Sequence, residues 1–270
     1  MRRLRFIPNL DRDSILGKLQ TKQLGRSLQI LDKCTSTNDV AAQRANAGAA
    51  HGHTVLAEEQ TSGRGRQGRT WLSPRGGIWL TTVLRFPLTL DPLSALPIIG
   101  ALAAAKTINS NPKVGARVRW PNDILVGDRK LAGVIAGTKF KGDQLEYALL
   151  GVGINANFHA VRLGELGPKS TSLQDLLGSP VEREAMIALL LMEIENVYEL
   201  ASSNLNGAMS LLNELDCSRG RQVTIKVEGE EVSGVVADYE SFAIVRIKTA
   251  NGSNRLIETS SAISVEYPHF

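Results

Sequence analysis

Gln60–Trp71 reads Q-T-S-G-R-G-R-Q-G-R-T-W, and the fold turns on what flanks it. Glycines at 63, 65 and 68 are interleaved with arginines at 64, 66 and 69. Glycine lets a backbone approach a ligand closely and adopt φ > 0. Arginine brings fixed charge and a fork of donors for phosphate or carboxylate oxygens. The spacing also satisfies G-x-G-x-x-G, the dinucleotide-binding fingerprint, but that motif needs a helix opening directly from the loop. Here Trp71-Leu72-Ser73-Pro74-Arg75-Gly76-Gly77 follows, and then Ile78–Leu84, which is β-branched, aromatic and strand-like. Strand–loop–strand excludes that reading and leaves the arginines, not a helix N-terminus, to meet an anion. Taken alone, the stretch also reads as a solvated basic loop.

Upstream, Thr54–Gln60 and Leu28–Leu31 read as strands. Between them lies Thr35-Ser36-Thr37-Asn38 and a helical Asp39–Ala47, with Thr37 or Asn38 suited to the N-cap. Ser36-Thr37-Asn38 reads either as pure capping or as a polar corner for a small uncharged head group. Asp13–Leu24 reads as one amphipathic helix.

Downstream, Asp91–Ile108 is a long apolar helix with Pro97 in its first part. Val118–Asp123, V-R-W-P-N-D, is a strand ended by Pro121. Ile124–Val126, Arg129–Ile135 and Leu145–Asn155 follow through turns at Gly127-Asp128 and Lys141-Gly142-Asp143. Short segments joined by tight turns predict an antiparallel or mixed sheet flanked by helices, an α+β fold. Asn157–Pro168 reads as irregular, and Gln174–Leu177, Val181–Ala201 and Leu205–Leu215 as helices. Close-set strands from Gln222 to Glu266 predict a small barrel-like β unit. The expected organisation is an N-terminal extension 1–26, a catalytic domain 27–216 and a β domain 217–270.

The chain has 270 residues, 43% hydrophobic and 21% charged, enough for a full core. A net charge of +4 is weak evidence for nucleic acid. The segment 217–270 has no excess of Lys and Arg over Asp and Glu and no aromatic stripe for base stacking. Cys34 and Cys217 lie far apart without a CxxC pair, which argues against zinc and against a disulfide framework. Arg2, Arg3 and Arg5 are followed by Pro8, Asn9 and Asp11 where a signal peptide needs an apolar run. Leu96–Ala105 is too short to span a bilayer. The expectation is a reduced, cytoplasmic protein with no membrane partner.

Four polar clusters fall at strand ends or loops: Ser36-Thr37-Asn38, Gln60–Arg69, Trp120-Pro121-Asn122-Asp123 with Lys130, and Gly151-Val152-Gly153-Ile154-Asn155. They supply cations for phosphate, and Asp123 beside Asn122 for a magnesium ion shared with substrate phosphates. Lys130 also reads as a strand-end lysine, and Asp123 as a turn acid. No Ser-His-Asp set is present, so positioning and charge neutralisation fit better than covalent catalysis.

With these motifs in this order, S-T-N at 36–38, G-R-G-R-Q-G-R-T-W at 63–71, W-P-N-D at 120–123, R-K-L-A-G at 129–133 and G-V-G-I-N at 151–155, the sequence resembles the biotin protein ligases over residues 27–270. The resemblance implies a class II aminoacyl-tRNA synthetase-like (biotin–lipoate ligase) fold with a C-terminal SH3-like β-barrel. It implies activation of biotin by ATP and magnesium to biotinyl-5′-AMP, then transfer to a lysine of a carboxylase's biotin carboxyl carrier protein. Carried over by position, Ser36, Thr37, Asn38 and Gln60 would hold biotin, and Arg64, Gly65 and Arg66 would fold over biotin and the adenylate phosphate. Arg69, Trp71, Asn122, Asp123 and Asn155 would serve the nucleotide, Asp123 with magnesium. Lys130 would bridge the biotin carboxylate and the α-phosphate, making Lys130, Arg64 and Arg66 the catalytic set.

The family usually carries lysine before W-P-N-D, where this chain has Arg119; charge is kept but a point charge becomes a planar fork. Residues 1–26 are too few for the helix-turn-helix repressor domain of larger members, so the expectation is a monofunctional enzyme, monomeric or homodimeric. Rival readings are lipoate ligase or octanoyltransferase, against which the loop and β-tail weigh, and a biotin-sensing or nucleic-acid-binding protein.

Overall fold

The computed structural model describes residues 8–85 and 92–268. Asp91, the expected start of the long apolar helix, and Arg2, Arg3 and Arg5 lie outside the described residues. The helices are α1 (Arg12–Lys18), α2 (Thr37–Asn46), α3 (Pro92–Asn109), α4 (Leu173–Leu177), α5 (Arg183–Ser203) and α6 (Leu205–Leu215). Strands β1 (Leu28–Cys34), β2 (Thr54–Gln60), β3 (Ile78–Leu84), β4 (Arg117–Arg119), β5 (Asp123–Val126), β6 (Arg129–Lys141) and β7 (Gln144–Ile154) form one seven-stranded sheet, in the order β1-β2-β3-β7-β6-β5-β4. β1 and β2 run parallel because α2 crosses over between them; the other neighbours are antiparallel. The sheet is mixed and flanked by helices, as the short segments and tight turns predict.

Strand alternation assigns the two faces. In β7, Leu150, Val152 and Ile154 join the core shared with α3 and α5, as Ala132 and Val134 of β6 do. α3 is predominantly apolar from Ala95 to Ala105, which fits a helix held between the sheet and α5. A Cβ on Gly100 would lie 2.8 Å from Val134 Cγ1, so this glycine lets α3 close on the sheet. The opposite face carries α2, packed through Ala41 and Ala45 onto Val55, Val83, Tyr147 and Leu149. On this second face β6 and β7 place Gly133, Gly151 and Gly153, and their missing side chains leave a hollow beside α2.

Strands β8 (Gln222–Val227), β9 (Glu230–Tyr239), β10 (Ile244–Thr249), β11 (Asn254–Glu258) and β12 (Ser264–Glu266) form a second, antiparallel five-stranded sheet in the order β11-β10-β9-β8-β12. It is the small SH3-like unit expected at the C-terminus. It is tied to the main sheet at the W-P-N-D turn: Trp120 N–H donates to Ser218 Oγ at 2.7 Å, and the Tyr267 hydroxyl donates to the Trp120 carbonyl at 2.9 Å.

Two local expectations are corrected. The helix expected over Asp13–Leu24 stops at Lys18, because Leu19 turns extended. The N–H groups of Lys22, Gln23 and Leu24 go instead to the Glu195 carboxylate at 2.7, 2.8 and 2.7 Å, which satisfies them without a helix. Pro121 ends the strand before it as expected: β4 stops at Arg119, and a turn at Trp120–Asn122 leads into β5. The irregular Asn157–Pro168 contains 3-10 turns over Ala160–Lys169.

Candidate active site

The hollow over Gly133, Gly151 and Gly153 is part of a cavity of about 550 Å³, within the range of small-molecule sites. A Cβ on Gly151 would sit 2.8 Å from Asn38 Nδ2, and one on Gly153 2.6 Å from Trp71 Nε1. The glycines are therefore where the sheet accepts Asn38 and Trp71. The indole meets Trp79 edge-on at 6.4 Å and carries Lys130 Nζ 5.0 Å from its centroid.

At one end lies an uncharged polar corner. Thr37 gives its backbone N–H to Gln60 Oε1 at 2.7 Å and shares a hydroxyl contact of 2.8 Å with Thr81. Gln60 Nε2 donates to Ser73 Oγ at 2.7 Å. Thr37, Asn38 and Gln60 line the cavity. Ser36 does not: it is fully buried as the N-cap of α2, its Oγ accepting from Asn38 N–H at 3.3 Å. The capping reading therefore holds for Ser36, and the N-cap is Ser36 in place of Thr37 or Asn38.

The glycine–arginine loop forms one wall. Gly65 N–H donates to Arg69 C=O at 2.8 Å, Trp71 N–H to Gly63 C=O at 2.8 Å, and Gln67 takes a left-handed φ of 55°. Arg64 pairs with Asp39 of α2 at 2.6 Å. Arg66 reaches the other sheet, donating to the carbonyls of Thr259 and Ala262 at 3.2 and 2.9 Å, and Gln67 Nε2 donates to Ala262 C=O at 2.8 Å. Burial lowers the Arg66 pKa; Asp123 opposes this and Arg69 adds to it. Arg64, Gly65, Arg66, Arg69 and Trp71 all line the cavity.

At the other end Asp123 gives one oxygen to Lys130 Nζ at 2.5 Å and the other to Arg119 at 2.6 Å. Burial would raise the Asp123 pKa, but these two cations outweigh it and the carboxyl sits below its usual range. Asn122 Nδ2 donates to Val134 C=O at 2.7 Å, fixing the turn against β6. Asn155 Nδ2 donates to Thr171 C=O at 2.9 Å, while its buried Oδ1, on a cavity-lining residue, has no hydrogen-bond partner among the described residues. That orphaned acceptor matches an amino donor such as a nucleobase provides. A magnesium ion on Asp123 itself does not fit this arrangement, because both carboxylate oxygens are already engaged by cations. Among the described residues no group of three His, Cys, Asp or Glu side chains could hold a metal.

Sequence reasoning missed two walls. Leu163, Leu166 and Lys169 come from the 3-10 segment, where Gly164, Gly167 and Pro168 hide any periodicity. Ile263, Val265 and Tyr267 come from the C-terminal sheet. Arg119, set aside from the catalytic residues as a departure, also lines the cavity.

The sequence profile of the biotin/lipoate A/B protein ligase family matches residues 31–155. The biotin--[acetyl-CoA-carboxylase] ligase of Mycobacterium tuberculosis is 30% identical over 251 residues, covering 87% of this chain and 89% of its own. The chain belongs to the biotin/lipoate A/B protein ligase family. The family profile takes in all four polar clusters, from Ser36 to Asn155. Another family member, the bifunctional ligase/repressor BirA of Bacillus spizizenii, is 32% identical over 191 residues, 70% of this chain but 59% of its own length. The chain thus spans about three fifths of that relative. The fold matches that of the biotin protein ligase from Aquifex aeolicus, solved in complex with biotin and ATP, with a TM-score of 0.78 at 22% identity, over 90% of this chain and 99% of that one. Among the described residues no helix is long and apolar enough to cross a membrane.

Proposed function

We propose that the protein is an ATP-dependent biotin protein ligase. In the first step a biotin carboxylate oxygen attacks the α-phosphorus of ATP, the bond to the β-phosphate's bridging oxygen breaks, and pyrophosphate leaves. In the second step a neutral lysine amine of a carboxylase's biotin carrier domain attacks the acyl carbon. The acyl–phosphate C–O bond breaks, AMP leaves, and the amine gives up a proton.

The observation that carries the reading is the position of Lys130, held by Asp123 and Trp71 beside a neutral polar corner on one side and a cationic end on the other. Thr37, Asn38 and Gln60 suit the uncharged ring system of biotin. Lys130 stands where biotin's carboxylate would meet the α-phosphate and offsets the charge that grows there. Arg64, Gly65, Arg66 and Arg69 cover the adenylate and keep water from a hydrolysable anhydride. Trp71, Asn122 and Asn155 serve the nucleotide. Magnesium enters with the ATP phosphates, and Asp123 orients Lys130 and Arg119. Residues 27–216 form the catalytic domain and 217–270 the β domain; the preceding segment joins the catalytic core through Ile15 and Leu24.

The test is the intact mass of a biotin carboxyl carrier domain after incubation with the protein, MgATP and biotin. Gain of one biotinyl group on one lysine is expected. An unmodified carrier, with lipoate added instead to a lipoyl domain, would move the protein to the lipoate branch of its family.

A further inference from the structure

Arg119 stands where relatives are expected to carry lysine, and its surroundings explain why. Its guanidinium lies 5.4 Å from the centroid of the Tyr267 ring and 2.6 Å from an Asp123 oxygen. The other Asp123 oxygen holds Lys130, which lies over Trp71. The result is an alternating row of ring, cation, anion, cation and ring: Tyr267, Arg119, Asp123, Lys130, Trp71. A guanidinium can lie against a ring by its face while donating from its edge; a lysine ammonium offers no such plane. The Tyr267 hydroxyl also pins the Trp120 carbonyl in the same turn. Burial pushes the phenol far above its usual pKa, so the hydroxyl stays protonated and remains a donor.

We infer that Tyr267, which directly follows β12, is a positioning residue for the nucleotide step, holding Arg119 and through it the Asp123–Lys130 pair. The inference rests on the ligase reading above. The polar corner at Thr37 and Gln60 lies at the β2 side of the sheet, separated from β5 by β3, β7 and β6. Loss of the Tyr267 ring should therefore act on ATP more than on biotin, whose ring system is held at that far corner.

The test uses full-length Tyr267→Leu, Tyr267→Phe, Arg119→Lys and the Arg119→Lys/Tyr267→Leu double variant. Biotin-dependent pyrophosphate release gives KM for ATP, and calorimetry gives Kd for biotin. Tyr267→Leu is expected to raise the ATP KM about tenfold, the scale of a desolvated cation–π contact, with the biotin Kd within about twofold. Tyr267→Phe, which keeps the ring, should recover more than half of that loss on a logarithmic scale. The double variant should lose no more than the worse single one, because the two residues act through one contact. Equal weakening toward both substrates, or additive losses in the cycle, would overturn the inference. Should Tyr267→Leu not fold, Arg119→Lys decides: an unchanged ATP KM in that variant overturns it as well. A wild-type protein that releases no pyrophosphate with biotin would sink the ligase reading together with this inference. A competent wild type with an ATP KM unmoved by Tyr267→Leu would sink the inference alone.

Discussion

Gly153→Ala is one methyl group on the floor of the site, and its effect can be worked from distances. Gly153 is not among the residues of positive φ, so alanine meets no backbone strain there. Its Cβ would stand 2.6 Å from Trp71 Nε1, 2.9 Å from Cε2 and 3.3 Å from Cζ2. Ordinary non-bonded contacts lie near ~3.5–4.0 Å, so the indole must shift by about 1 Å. It has little room to slide along the sheet, because Trp79 meets it edge-on. The remaining direction is into the cavity, carrying Lys130 with it. Overpacking of this kind costs about 1–3 kcal/mol. At about 2–4 °C per kcal/mol for a chain near this size, the melting temperature should fall by about 2–12 °C. A reacting group misplaced by about 1 Å can lose about 100-fold in rate, so pyrophosphate release should fall by about 10- to 100-fold. Far-UV circular dichroism should not change. Adding Trp71→Phe, which removes the atoms that clash, should return the melting temperature toward that of Trp71→Phe alone. A Gly153→Ala protein with wild-type melting and kinetics would refute the reasoning.

Lys130→Met should cut adenylation by about 100- to 1000-fold, as loss of a charge-stabilising donor does. It should also raise the Asp123 pKa, since the lysine is the foremost of the groups that lower it. The stability contributed by ionised Asp123 is present above its unfolded pKa and is lost as pH falls through the depressed folded value. Acid unfolding followed by circular dichroism should therefore begin at higher pH in the variant than in the wild type. Arg183→Met leaves Glu58, 2% exposed, without the cation it meets at 2.8 Å; unfolding in guanidinium should show a loss of about 3–5 kcal/mol, with KM values of the folded fraction unchanged. Burial raises both thiols, with Asp39 adding at Cys34 and Asp216 at Cys217, the latter pushed up to about 11. Iodoacetamide at neutral pH should label both slowly in the folded protein and quickly in denaturant; rapid labelling of folded Cys217 would contradict its burial.

The parts of the site that were legible in the sequence are those whose residue type is itself the signal. Arginines between glycines cannot be core, and a strand after them excludes the doubly wound fold. The glycines of β7 carried less than they could have. G-V-G-I-N marks a strand, but its function as an indole and amide cradle depends on which face Gly151 and Gly153 occupy, and that is set by pairing with β3 and β6. Leu163 and Leu166 were hidden because 3-10 turns broken by Gly164 leave no period to detect. Tyr267 was hidden for another reason: it lies 147 residues from its partner Trp120, and nothing local in a strand-end tyrosine says which turn it will cover. The shortened α1 and the cap at Ser36 share a cause. In each, a side chain took up backbone N–H groups in a way that propensity does not weigh: Glu195 from a distant helix, and Ser36 one residue earlier than expected.

The cations of the cavity differ in what holds them, and the difference separates their roles. Arg64 has Asp39, and Lys130 and Arg119 divide Asp123 between them, so each has an acidic partner. Arg66 is held by two neutral carbonyls of the turn between β11 and β12, and among the described residues no carboxylate lies within ion-pair distance of it. A buried charge without an anion is costly, and the depression of the Arg66 pKa by burial expresses that cost. A phosphate oxygen would relieve it more at Arg66 than at any of the paired cations. Both carbonyl bonds are made from Nη2, which leaves Nε and Nη1 to give an anion charge-assisted hydrogen bonds, about twice as strong as neutral ones. Arg66 can thus keep its contact with the turn between β11 and β12 while its remaining donors meet an anion.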